Sequence, residues 1–98
     1  MEKIVRDGMV AVAVSYGFGA GWSTWCDVDP MDARFNQLFL DGKIAEAKVL
    51  CEELDLGYPG GADDVTIEWI PVDTKFVVKE YDGAESLMCM EDFNWRIA

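Results

Sequence analysis

Residues 9–15 read MVAVAVS, seven uncharged residues in which small Ala alternates with β-branched Val. No other stretch narrows the fold as much. Such a run is predicted to be a central strand covered on at least one face, where Ala lets a helix approach closely. Asp7-Gly8 immediately before it is a two-residue hairpin signal, so Glu2–Arg6 is expected to be the first strand and Met9–Ser15 its return.

The rest of the chain supplies helices and further strands. Asp29-Pro30 is read as a helix start, with Asp29 as N-cap, Pro30 in the first position and Asp32 at the positive end of the dipole. Met31, Phe35, Leu38 and Phe39 then form one apolar stripe, which Asp41-Gly42 ends. A second helix is predicted from about Lys43 to Leu54. Ile44, Ala47, Leu50, Cys51 and Leu54 face inward there, and Glu46, Lys48, Glu52 and Glu53 face outward. Gly57–Gly61 is a loop. Three strands follow at Val65–Ile70, Lys75–Tyr81 and Glu85–Met90, turned by Pro71–Asp73 and by Asp82-Gly83. A last segment, Phe93–Ile97, pairs at an edge or packs its Trp95. The expectation is one small α+β domain over residues 1–98. Its order is ββ-αα-βββ, a mostly antiparallel sheet with two helices packed on one face.

Charge and composition limit the function. Nineteen acidic residues against eight basic ones give a net charge of −11. Direct nucleic-acid binding needs clustered Lys or Arg, and an anionic membrane surface needs the same, so both are excluded. A basic protein surface remains as a partner, and so does the role of nucleic-acid mimic. The chain has no histidine, and its three cysteines share no CxxC spacing, so neither a zinc site nor any other cofactor is expected. The run Asp27-Val28-Asp29-Pro30-Met31-Asp32 lacks the glycine and the final glutamate of a calcium loop. No stretch approaches the roughly 20 apolar residues of a membrane span. MEKIVRDG has no signal-peptide core, so a cytoplasmic protein with reduced thiols is expected. Cys51 and Cys89 read as core filler. The acids after Cys26 would raise its pKa, which argues against a reactive thiolate. Without histidine no catalytic residue is assigned.

One stretch holds both flexibility and bulk: YGFGAGWSTWCDVDP, residues 16–30. Its GxGxG misses the dinucleotide fingerprint, because the third glycine comes one residue early. Two readings stand. In one, Trp22 and Trp25 plug a tight corner and the glycines relieve crowding. In the other, the loop binds a nucleotide-like small molecule. Phe18, Trp22 and Trp25 would then stack on a ring, Gly19, Gly21, Ser23 and Thr24 would donate hydrogen bonds, and Arg34 would supply counter-charge. A rival site uses carboxylates at strand ends and turns: Asp63, Asp64, Glu68, Asp73, Asp82 and Glu85 would clamp Arg or Lys of a basic partner. A small enzyme with a carboxylate base is the third reading. In either binding role a homo-oligomer would help bury the excess of Trp and Phe.

The block IVRDGMVAVAVSYGFGAGWSTW, with the later IEW and EYDGAES, resembles a group of small proteins encoded in phage genomes and bacterial chromosomes. The resemblance is closest over the first 25 residues. It implies a phage-type setting, similar in character to inhibitors of bacterial immunity such as anti-CRISPR proteins and proteins that sequester immune nucleotide signals. The partner would then be a basic host defence protein, such as a CRISPR effector, or the signal nucleotide itself.

Overall fold

The central strand is covered along both edges and on both faces. In the computed structural model, which describes residues 1–90, Met9–Ser15 forms β2, buried along nearly its whole length. Val65–Pro71, here β3, pairs antiparallel along one edge of it, from Met9 opposite Pro71 to Ser15 opposite Val65. The other edge is filled piecemeal. Val5–Arg6 (β1) covers only its start, through a tight turn in which Asp7 and Gly8 both take positive φ. Beyond that, every second N–H of β2 finds a different partner. Ala11 N donates to Ile4 O at 3.0 Å and Ala13 N to Pro30 O at 2.8 Å. Ser15 N donates to the side chain of Glu85 at 2.8 Å. A buried donor left unpaired would cost about 1–3 kcal/mol, so three separate segments are drawn to this edge.

The two faces of β2 are covered by different layers. Ala13 lies against Trp22, Phe35, Ala47, Cys51 and Ala62, with Val65 and Ile67 beside it. This is the face of the helices: α1, Ala33–Leu40, and α2, Ile44–Glu53. Val10, Val12 and Val14 face Ile70, Cys89, Phe76, Val78 and Leu87. Those last four belong to a separate hairpin of β4 (Phe76–Tyr81) and β5 (Ala84–Cys89). The order is ββ-αα-βββ in an α+β fold with antiparallel pairing throughout, and both helices lie on one face. The five strands among the described residues nevertheless divide into two sheets, β1-β2-β3 and β4-β5. The Val face of β2 needs an apolar cover, and the hairpin crosses over to provide it through a turn at Asp73, φ +69°.

Two local expectations are corrected. Helix α1 begins three residues later than Pro30, with Asp32 as N-cap accepting from Arg34 N at 2.9 Å. Asp29 instead closes a turn by accepting from Met31 N at 2.8 Å. The reason is tertiary: a helical Pro30 would turn its carbonyl along the helix axis, whereas here it accepts from Ala13 and from Asn36 Nδ2. Leu54, assigned inward, is 41% exposed as the residue that ends α2. The loop at 57–61 runs into a 3-10 turn, Pro59–Asp64. The expected segment Phe93–Ile97 lies outside the described residues.

Candidate functional site

The loop of residues 16–25 leaves the end of β2 and meets two other segments there. The 3-10 turn lies under it: a Cβ on Gly61 would strike the carbonyl of Gly21, and one on Gly17 would strike the carboxylate of Asp64. The tip of the β4–β5 hairpin lies across it. Gly19 N donates to Asp82 O at 3.3 Å, and Gly83 is pressed against the backbone of Gly19 and Ala20. Gly17, Gly61 and Gly83 leave no room for a side chain because each meets backbone or a carboxylate, and Gly21 leaves none because the Thr24 hydroxyl and the Trp25 ring lie against it.

Glu85 holds this junction together. It is 2% exposed, on the face of β5 that carries Leu87 and Cys89 inward. One carboxylate oxygen accepts from Ser15 N. The other accepts from Trp22 N at 2.7 Å, Thr24 N at 3.1 Å and Thr24 Oγ1 at 2.7 Å. Ser15 Oγ adds bonds to Gly61 O at 2.9 Å and Ala20 O at 3.3 Å. The loop does form a nest of converging donors, as glycine-rich turns can. Its anion is a carboxylate of the same chain. Across the hairpin Glu80 points its own carboxylate to Gly83 N at 2.7 Å, so the paired acids serve the turn and the loop separately.

The remaining expected ligand residues scatter. Trp22 is fully buried, edge-on to Phe35 (centroids 5.4 Å, 67°) and Phe39 (5.2 Å, 89°). It is a core ring and presents no face for stacking. Its Nε1 has no hydrogen-bond partner among the described residues. Trp25 is half exposed, and Phe18 is 77% exposed. Ser23 is partly buried, and Thr24 is already bonded to Glu85. Gly19 has φ +112° and open space where a Cβ would lie. Arg34 does not reach the loop site. Its guanidinium forks onto Asp32, with NH2 at 2.9 Å and Nε at 3.2 Å, beside Met1 and Glu2. Burial disfavours the Asp32 carboxylate, but the hydrogen bonds and charge of Arg34 outweigh it and hold the carboxyl below its ordinary range.

The rival carboxylates divide in the same way. Asp64 and Asp82 flank the loop. Asp63 is next to them, bridged to Lys48 of α2 at 2.7 Å. Glu68 accepts from the Tyr16 hydroxyl at 2.9 Å. Burial, then that bond and the charge of Glu68, push the Tyr16 phenol up to about 12. Asp73 stands at the opposite end of β2, where Val72 N donates to Gly8 O. Glu85 faces inward and offers nothing to a partner, which corrects its place in that set.

Around the junction five aromatic rings reach solvent, Tyr16 at the start of the loop among them. Phe18 and Tyr81 (82% exposed) each sit one residue from the Gly19–Asp82 contact. Trp25 and Tyr58 flank the place where Gly57 packs on the backbone of Trp25 and Cys26. Sequence reasoning singled out Phe18 and Trp25 but missed Tyr81, Tyr58 and the inward role of Glu85. The signal for Glu85 was its place two and four residues before Leu87 and Cys89, on one strand face. No family model, no curated protein and no solved structure matches this chain.

Proposed function

We propose that this chain is a stoichiometric binding protein, not an enzyme, and that it docks on a positively charged protein surface through the end built from residues 16–25, 57–64 and 81–83. One observation carries the reading. Phe18 and Tyr81 stand exposed on two touching backbones, with Asp64 and Asp82 beside them. Exposed aromatics beside carboxylates are suited to guanidinium and ammonium groups, which stack on rings and pair with acids. A net charge of −11 would steer such a partner from a distance. The resemblance to small phage proteins supplies a setting, a host defence protein with a cationic nucleic-acid groove. The nucleotide reading is less well supported. The donors at Trp22 and Thr24 already serve Glu85, and Trp22 belongs to the core.

The test is affinity capture from host lysate followed by a binding measurement on the purified partner. A cationic partner should be recovered whose affinity falls steeply with salt. That affinity should also fall with Phe18→Ala, Tyr81→Ala or the Asp64→Lys/Asp82→Lys pair. A partner indifferent to those changes sinks the proposal. So does a nucleotide that raises the melting temperature of the wild type but not of Phe18→Ala.

A further inference from the structure

We propose that Cys26 and Cys51 are a latent disulfide that a peroxide closes, locking the glycine–tryptophan loop to helix α2. The two sulfurs are 4.0 Å apart and buried in the same core cluster. Both side chains turn to one short stretch of backbone. Cys26 Sγ donates to Tyr58 O at 3.0 Å, and Cys51 Sγ lies 3.7 Å from Gly57 O. Bond formation asks the sulfurs to close about 2 Å, to the disulfide length of about 2.05 Å. Rotation of an extended residue and a helical one toward each other can supply that. The third thiol, Cys89, belongs to the core on the other face of the sheet and has no part in the pair.

The chemistry balances with a hydroperoxide as oxidant. Cys26, 7% exposed where Cys51 is fully buried, reacts first. Its thiolate attacks one peroxide oxygen and the O–O bond breaks. Cys26 becomes a sulfenic acid, and the leaving hydroxide takes up the thiol proton as water. The sulfur of Cys51 then displaces hydroxide from the Cys26 sulfur, forming the S–S bond. The Cys51 proton completes a second water. Two thiols are oxidised by two electrons and one peroxide is reduced.

Access and ionisation set the tempo. A thiol this covered admits hydrogen peroxide but hinders a bulky disulfide such as oxidised glutathione. Burial, then Cys51 and Glu85, push the Cys26 thiol up, so little of it is thiolate at neutral pH. The lock therefore closes slowly, under sustained oxidation. Once closed it ties the backbone beside Trp25 to α2, and it removes the S–H that Cys26 donates to Tyr58 O.

The experiment treats the folded chain with millimolar hydrogen peroxide, then maps peptides and melts the product. The expected product has lost two hydrogens, joins the Cys26 and Cys51 peptides, and reverts with a thiol reductant. Its melting temperature rises by about 10 °C, and oxidised glutathione produces it far more slowly. Cys51→Ser should give no cross-link and accumulate oxygen at Cys26. The proposal is overturned if the wild type keeps both thiols or gains oxygen at Cys26 without a cross-link. A bridge to Cys89, a bridge formed only in denaturant, or a bridge that lowers the melting temperature overturns it equally.

Discussion

Among the described residues two carboxylates are withdrawn from solvent, and they do different work. Asp32 starts helix α1 and pairs with Arg34, a cation whose side chain is 61% exposed. Glu85 stands without an ion pair among the described residues. It is held by backbone N–H groups of Ser15, Trp22 and Thr24 and by one hydroxyl, and is 2% exposed. The first arrangement is local, spanning two residues of one element. The second ties residue 85 to residues 15–24 and makes the loop part of the core. A glycine-rich loop thus looks like a ligand cradle in the chain and is a filled cradle in the fold.

The sharpest way to break that contrast is to make the same acid-to-amide change at both sites. Glu85→Gln replaces one accepting oxygen with an NH2 group facing donors that have no other partner. Two buried N–H groups compete for what remains, at a cost of about 3–5 kcal/mol. Against a typical total of about 5–15 kcal/mol, that brings the protein near unfolding. Asp32→Asn keeps an oxygen for the Arg34 N–H and should cost about 1 kcal/mol. Urea denaturation followed by far-ultraviolet circular dichroism measures both. Equal losses would erase the distinction.

Next in size is the contact beneath the loop. Gly61→Ala puts a methyl into the Gly21 carbonyl, and backbone cannot step aside as a side chain does. The expected loss is about 2–3 kcal/mol. Gly42→Ala, with φ +72° and nothing within reach of a Cβ, should cost only the strain of its conformation, about 1 kcal/mol. Matching midpoints for the two variants would mean the loop is not packed on the 3-10 turn.

What was legible in the chain follows the same division between local and distant causes. Both Asp-Gly hairpins, the span of β2 and the body of α2 follow from neighbours in sequence: two positive-φ residues, period two, period 3.6. The start of α1 was misplaced because Asp29 and Asp32 are both good caps, and the choice rests with Ala13, which needs the Pro30 carbonyl. Glu85 was read as a surface acid because it follows a turn. Its partners lie more than 60 residues away, and only its strand face hinted that it points inward. Trp22 and Trp25 are three residues apart with similar local context, yet one is core and the other half exposed. Nothing short of the packing of Phe35 and Phe39 separates them.

The pH dependence of the Asp32 site comes third. Its folded carboxyl titrates below its unfolded value, so the unfolded chain binds the proton first as pH falls. The stabilisation is complete above the ordinary carboxylate range and is lost as pH drops through the folded value. Denaturation midpoints of the wild type should therefore fall toward acid more steeply than those of Asp32→Asn. Parallel profiles would show that Arg34 does not hold the carboxylate in solution.

The smallest effect is at Tyr16, and it separates two causes. Of the three tyrosines, Tyr16 has a phenol pushed up to about 12, by burial first and by Glu68 second. Its folded value lies above the unfolded one. Any stability it contributes is intact below about 10, where a free phenol titrates, and is lost as pH rises toward 12. Near-ultraviolet absorbance against pH should show one phenol ionising near 12, and Tyr16→Phe should remove that step. Glu68→Gln takes away the charge and leaves the burial, so the step should move partway toward the ordinary value. A full return would make the Glu68 carboxylate the dominant cause.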